Sequence, residues 1–240
     1  GLASSPVTIE DKETSKHMFQ VMRLTEDDEL TLVFDDGIKR LARVVHLEAR
    51  QFELVEELAD NVELPVQVTI ASGFPKGDKL EFITQKVTEL GASQIWAFPA
   101  DWSVAKWDGK KLGKKVEKLE KIALGAAEQS KRNLVPSITL FEKKADFLAQ
   151  FDQFDRIVVA YEESAKEGEA AALIQSLTGL EAGCKLLFIF GPEGGLSPAE
   201  IKSFTAKGAV LAGLGPRILR AETAPLYALS AVSVVTELMN

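Results

Sequence analysis

The chain has 240 residues, of which 46% are hydrophobic and 27% charged, and its formal net charge is −8. That balance excludes a disordered or fibrous chain, and no apolar stretch is long enough to span a bilayer. The acidic total argues against indiscriminate nucleic-acid binding, the lone cysteine, Cys184, excludes an intrachain disulfide, and with only His17 and His46 beside it a zinc site lacks ligands. The first sixty residues carry short runs of strand character at 29–34, 40–45 and 51–55. Asp35-Asp36-Gly37 between the first two is a hairpin signal, because glycine takes a positive φ without steric cost. Met18, Val21 and Met22 are spaced for one short helix over 17–23. Residues 1–64 therefore read as a small β-rich domain, in the form of a barrel.

The pattern changes at Leu64-Pro65, and residues 65–240 read as a second, α/β domain in which strands and helices alternate around a mostly parallel sheet. Strands are predicted at 66–71, 94–98, 156–161, 185–190 and 209–214. Asp78 offers an N-cap to a helix carried by Leu80, Ile83, Val87 and Leu90 and stopped by Gly91. A long helix is predicted over 110–130, with Leu112, Val116, Leu119, Ile122 and Ala126 inward and Lys111, Lys114, Lys115, Lys118 and Lys121 on the other face. A short helix follows at 170–177. Ser197-Pro198-Ala199-Glu200 forms a capping box with proline at the first helical position, and Gly208 ends that helix. The last helix is predicted over 223–239, with an apolar stripe at Leu226, Leu229, Val232, Val235 and Leu238 suited to core or dimer packing.

Charge is uneven along the chain. Residues 1–62 hold 7 Lys/Arg against 14 Asp/Glu, whereas residues 102–132 hold 9 against 4. The second stretch fits either a phosphate-binding face or the solvated side of an amphipathic helix.

Chemistry concentrates in two segments near the C-terminus, Gly191-Pro192-Glu193-Gly194-Gly195-Leu196-Ser197 and Leu214-Gly215-Pro216-Arg217-Ile218-Leu219-Arg220-Ala221-Glu222-Thr223-Ala224. Each follows a predicted strand and precedes a helix, so the two are expected as adjacent loops forming a crevice at strand ends. Neither has the spacing of a phosphate-binding loop, a dinucleotide fingerprint or a nucleophile elbow. What remains is exposed backbone that can bond an adenine edge and a ribose, with Leu214, Ile218 and Leu219 able to sandwich the base; ordinary turns are the alternative. Glu222 and Thr223 read equally well as a helix-dipole partner and an N-cap. Arg220 does not, because its charge opposes the dipole at that end, and it calls for a carboxylate or a phosphate.

Four segments taken together carry a resemblance: 76–81 with Gln85-Lys86 and Glu89-Leu90-Gly91; Glu128-Gln129 with Arg132-Asn133 and Val135-Pro136; 191–197; and 214–224. They resemble the ribosomal RNA small subunit methyltransferase E family, within the SPOUT superfamily of knotted methyltransferases. More loosely, His17 and Val21-Met22-Arg23 resemble a helix of that family, and Asp35-Asp36-Gly37 its hairpin. The resemblance implies a PUA-like β-barrel at 1–64 that binds RNA and a SPOUT methyltransferase domain at 65–240 with a deep trefoil knot. Threaded loops are so rare that no periodicity would have suggested one. It also implies a cytoplasmic homodimer without metal or membrane attachment, S-adenosylmethionine as methyl donor, and methylation at N3 of one uridine in 16S rRNA of the small ribosomal subunit. The donor site it implies comprises Gly191, Pro192, Glu193 and Gly195 on one loop and Leu214, Gly215, Ile218, Leu219, Arg220, Thr223 and Ala224 on the other. Tyr161 and the loop after it would close the third side.

Uridine N3 is a poor nucleophile until its proton leaves, so the site needs a base, or a cation that stabilises the anion. Arg220 is the candidate cation, Glu222 the candidate proton acceptor and Glu193 its alternative. Arg23, Lys76, Lys79, Lys86, Arg132 and the lysine face of the long helix are the candidate RNA contacts. A SPOUT enzyme acting on transfer RNA, or a non-catalytic RNA-binding module of the same fold, remain alternatives.

Overall fold

The computed structural model describes residues 6–10, 12–161 and 170–239. Two compact units divide the chain, residues 1–62 and residues 63–240.

In the first unit, β1 (Val7–Thr8), β2 (Glu29–Val33), β3 (Lys39–His46) and β4 (Gln51–Leu58) form an antiparallel sheet in the order β1-β4-β3-β2. Among the described residues the expected barrel is seen as a four-stranded antiparallel sheet without a closing pair between β1 and β2. The predicted hairpin is present. Gly37 has φ 72°, its N–H donates to Phe34 O at 2.8 Å, and Asp36 Oδ1 accepts the Ile38 N–H at 2.9 Å. Arg40 is clamped between Asp36 and Glu57, which pins the register across the turn. Inward-facing Leu32, Ala42, Val44 and Phe52 make the core. The predicted helix starts earlier than expected: α1 (Lys12–Lys16) runs into a π-helical turn (His17–Val21), and Arg23 lies beyond it with φ 55°.

The second unit is built on six strands, all parallel: β5 (Gln67–Gly73), β6 (Gln94–Phe98), β7 (Ser137–Leu140), β8 (Arg156–Ala160), β9 (Lys185–Phe190) and β10 (Val210–Ala212), in the order β10-β8-β9-β5-β6-β7. Helices α2 (Lys79–Glu89), α3 (Gly109–Gln129), α4 (Lys144–Leu148), α5 (Ala170–Leu177), α6 (Pro198–Ala206) and α7 (Ala224–Ser233) connect and cover them. Strand side chains alternate between faces, and β9 shows why both faces are apolar. Leu186, Phe188 and Phe190 join Ile70, Ile83, Val87 and Leu229 in one core, while Leu187 and Ile189 join Phe98, Phe147 and Phe204 in another. No helix among the described residues is long and apolar enough to cross a membrane, and none of those residues form a cluster suited to a metal ion.

Several local expectations change. Strand β7 and helix α4 had no clear sequence signal, because β7 is a four-residue edge strand and α4 barely exceeds one turn. The last strand stops at Ala212, and the last helix gives way at Val234 to a π-helical turn ending at Leu238. Asp78 and Thr223 occupy N-cap positions, yet neither side chain makes a capping bond. Thr223 is already in helical backbone geometry, so its side chain cannot reach back over the first turn. Asp108 does cap α3, accepting the Lys111 N–H at 3.0 Å.

Arg132 is corrected as an RNA contact. Its buried guanidinium donates to the carbonyls of Thr88 at 3.1 Å and Ala92 at 2.7 Å and pairs with Glu63. Glu63 in turn accepts the N–H groups of Asn133 at 2.9 Å and Leu134 at 3.1 Å. This knot of bonds ties the ends of α2 and α3 together. Arg132→Met strands the Ala92 carbonyl and removes the cation paired with the partly buried Glu63 carboxylate, so it should cost about 3 kcal/mol in urea unfolding. A cost below about 1 kcal/mol would show the network to be dispensable.

Candidate active site

Because the strands are parallel, the segments after β5, β6, β8, β9 and β10 all emerge at one edge of the sheet. The strands that carry the two glycine segments are not neighbours in the sheet, although the segments themselves meet across Lys79. Strand β8 lies between them, so Tyr161 at its end sits between the two glycine segments. The Tyr161 N–H donates to Ala212 O at 3.0 Å, tying the end of β8 to the end of β10.

The loop after β9 is folded tightly upon itself. Gly195 has φ 79° and donates its N–H to Pro192 O at 2.8 Å. A Cβ on Gly191 would lie 2.8 Å from the Gly195 carbonyl carbon, and one on Gly73, at the end of β5, would lie 2.5 Å from Pro192 Cδ. Bare backbone is thus required for the loop to close and to seat on β5. Beneath it the predicted capping box is complete: Glu200 N–H donates to Ser197 Oγ at 3.1 Å and Ser197 N–H to Glu200 Oε2 at 2.9 Å. Glu200, 2% exposed, also accepts the Asp101 N–H at 2.9 Å and pairs with Lys144 at 2.6 Å. Asp101 pairs with Lys144 and accepts the Ser197 hydroxyl. The Lys144 ammonium, then that hydroxyl, hold the Asp101 carboxyl below its ordinary value. Helix α4, helix α6 and the loop after β6 are therefore locked together under the glycine loop.

Lys79, the first residue of α2, joins the two chemistry-bearing segments. Its Nζ lies 3.0 Å from Glu193 Oε1 and 3.2 Å from Glu222 Oε2. Glu193 Oε1 also accepts the Lys76 N–H at 3.0 Å. Burial pushes the Glu193 carboxyl up, but its own N–H, the Lys76 N–H and Lys79 outweigh it, leaving the carboxyl lowered. Glu222 is lowered by its own N–H against burial, with help from Lys79 and from the charge of Arg220. Lys79 is raised, first by Glu193 and then by Glu222. Glu222 Oε2 is buried and has this ion pair but no aligned hydrogen bond.

Of the other expected donor-site residues, Pro192 is buried and Leu214, Gly215, Leu219 and Ala224 are half-buried, while Arg220 and Thr223 are exposed. Ile218 is 77% exposed, an uncovered apolar side chain beside polar backbone. The Arg220 carbonyl accepts the N–H groups of both Thr223 at 2.9 Å and Ala224 at 3.0 Å, forming the turn that presents Glu222. The loop expected to close the third side falls at 162–169, outside the described residues. Among the expected RNA contacts, Arg23 and Lys76 are exposed, but Lys86 pairs with Glu89 at 2.8 Å and Lys79 is held between the two glutamates. On α3, Lys118 pairs with Glu81 at 2.6 Å and Lys115 lies over the Trp107 ring at 4.3 Å, while Lys111 and Lys114 stay exposed. The sequence reading missed the bridging role of Lys79 and the Asp101–Lys144 pair, since their partners are distant along the chain. Two concavities, about 590 and 510 Å³, open at the opposite edge of the sheet and contain none of these residues.

A family model for the RNA methyltransferase domain matches residues 62–233, and one for the RNA methyltransferase PUA domain matches residues 9–57. The chain is 47% identical over 226 residues to the ribosomal RNA small subunit methyltransferase E of Bacillus subtilis, covering 93% of this chain and 88% of that one. A crystal structure described only as a hypothetical protein superposes with a TM-score of 0.89 at 43% identity, covering 98% of this chain and 93% of that one. The ribosomal RNA small subunit methyltransferase E of Neisseria gonorrhoeae, bound to S-adenosyl methionine, superposes with a TM-score of 0.78 at 25% identity, covering 98% and 95%.

The bridge at Lys79 has a pH signature. Glu193 and Glu222 have lowered values, so their stabilisation is complete above the ordinary 4.5 and is lost as pH falls through the lowered values. Lys79 is raised, so its share is complete below 10.5 and is lost as pH rises through the raised value. The stability difference between the unsubstituted protein and Lys79→Met, followed by urea unfolding, should therefore hold a plateau between these limits and shrink on the acid side. A difference independent of pH would assign it to packing of the lysine stem.

Proposed function

The chain belongs to the ribosomal RNA small subunit methyltransferase E family, and from that premise we propose that it transfers a methyl group from S-adenosylmethionine to N3 of one uridine in 16S rRNA of the small ribosomal subunit. The single observation that carries this reading is the joining of the two glycine segments through Lys79, which brings Glu193, Glu222 and Arg220 to one edge of the sheet.

The residues present fit the donor. Bare backbone at Gly191 and Gly195 suits an adenine edge and a ribose, and exposed Ile218 suits the face of the base. Bound S-adenosylmethionine supplies an electrophilic methyl group on a sulfonium. Tyr161, Leu214, Gly215 and Leu219 line the same reading of the site, with Thr223 and Ala224 at the start of α7.

The protein's own part in the reaction is to position uridine and stabilise its anion. Arg220 is exposed, and it stabilises the forming charge through a uracil oxygen or orients the target phosphate. Glu222 accepts the N3 proton, its buried Oε2 being turned toward Lys79. Glu193 is the alternative, but its Oε1 already takes bonds from Lys76 and Lys79. Both carboxyls sit below their usual range, which makes each a weak base and places the larger burden on Arg220.

In this reading residues 1–64 bind RNA, with Arg23 as one contact, and residues 65–240 carry the reaction, with Lys76, Lys111 and Lys114 as phosphate contacts. The backbone of the catalytic domain is taken as a deep trefoil knot; in support, β10 returns on the far side of β8 from β9. The protein acts as a cytoplasmic homodimer. Exposed Tyr227, Val234, Leu238 and Met239 along α7 and the turn after it support self-association.

Calorimetric titration should show saturable binding of S-adenosylmethionine and none of NADH, followed by methyl transfer to small ribosomal subunits; a folded protein that binds no donor, alone or with RNA, refutes the assignment. Arg220→Ala should lower turnover at saturating donor by roughly 100-fold or more. Near-normal turnover in both Glu222→Gln and Glu193→Gln would eliminate a carboxylate base.

A further inference from the structure

The segment leaving β6 runs between the glycine loop and the basic helix α3. Its first part is fixed: Ala100 is buried, Asp101 is held by Glu200, Lys144 and Ser197, and the Ser103 N–H donates to Ala100 O at 3.0 Å. In the middle of this fixed stretch stands Trp102, 49% exposed. The other two tryptophans are packed: Trp96 is 4% exposed among Phe141, Phe147 and Phe154, and the Trp107 ring lies 4.4 Å from that of Phe74. The root of Trp102 is seated against the glycine loop, for a Cβ on Gly194 would come within 3.1 Å of Trp102 Cβ and 3.2 Å of its carbonyl oxygen. The indole is thus rigid at its base and bare beyond it, next to Gly194 and one residue from Glu193. Nothing in the core requires it there.

The segment that follows is basic on balance, since its exposed carboxylates are engaged, Asp101 with Lys144 and Asp108 as the cap of α3. Lys106, Lys110, Lys111 and Lys114 are all exposed on the same segment and the first turns of α3. A bare aromatic face beside a row of unburied cations matches the two parts of an unpaired nucleic-acid strand, a flat base and a phosphate. A protein partner would have to be acidic and also supply a flat apolar group, whereas an RNA strand has both at every nucleotide.

We propose that Trp102 is a stacking platform for an unpaired base of the RNA substrate, flanking the methylated nucleotide, with the neighbouring lysines holding the adjoining phosphates. This rests on the RNA methyltransferase reading above and adds to it a specific contact. Stacking releases no counterions, so its loss lowers affinity without altering the salt dependence, whereas loss of a lysine–phosphate contact flattens that dependence.

The test is fluorescence anisotropy with a labelled single-stranded oligouridylate of roughly a dozen nucleotides, over a series of salt concentrations. Trp102→Ala keeps the Cβ and backbone that touch Gly194, and an unchanged titration with S-adenosylmethionine verifies its fold. It should bind oligouridylate about tenfold more weakly at every salt concentration, with a parallel salt slope, and Trp102→Phe should recover to within about threefold. Unchanged binding by Trp102→Ala, a loss that Phe does not restore, or an altered slope would each overturn the platform. An unsubstituted protein that methylates small ribosomal subunits but does not bind oligouridylate overturns it too, and leaves the methyltransferase reading standing. A protein that does neither overturns both.

Discussion

Six strands running the same way cannot be joined by hairpins, so each connection must cross a face of the sheet and return to its starting edge. The crossing helices bury both faces, and this is why β5 and β9 are buried along their whole length after the first residue. The same geometry delivers every strand's C-terminal segment to one side. Loops that differ widely in sequence position, after Gly73, Phe98, Ala160, Phe190 and Ala212, are made neighbours by a constraint acting on the backbone alone. The chemistry of this protein is therefore a property of an edge.

Two polar networks divide the work at that edge. The inner one is anchored on buried Glu200 and Ser197 and reaches the surface through Lys144 and Asp101, with its acceptors and donors matched. A buried carboxylate without such partners would be costly, so the network either forms complete or not at all. It acts as a rigid footing for the glycine loop. The outer one, around Lys79, is partly solvated and less complete, leaving Glu222 Oε2 without an aligned donor. Rigid below and unsaturated above is the arrangement expected of a surface that receives a ligand.

Charge placement follows the same division. Glu193 and Glu222 are brought close enough to share one ammonium, and without it each would raise the other's proton affinity. Backbone N–H groups first, and Lys79 after them, reverse that tendency and hold both carboxyls below their usual range, while Arg220 adds a second positive charge near Glu222. A chain with a net charge of −8 thus carries a locally compensated site, and a further group of exposed cations lies along Lys106 and the start of α3.

Much of the fold was legible because it is written in local patterns. The alternation of apolar runs and helical spacing after Pro65, the Asp-Asp-Gly hairpin and the Ser197–Glu200 capping box each depend on residues a few positions apart, and each is present. The glycine-rich segments were recognisable by composition, since only glycine allows the close approaches at Gly191 and Gly73. Strand order was not legible, and the insertion of β8 between β9 and β10 has no signal in the sequence. Nor were the partners of the lysines and arginines. By its type and place in the sequence Arg132 reads as a surface cation, yet it closes a buried network with Glu63; Lys79 reads as an RNA contact, yet it bridges residues 114 and 143 positions further along. The sequence by itself determined which segments form elements and which residue types stand at their ends, because those depend on backbone sterics and the period of apolar side chains. Tertiary structure alone decided which charges meet, because an ion pair is set by distance in space, and the folding of the parallel sheet sets that distance without regard to separation along the chain.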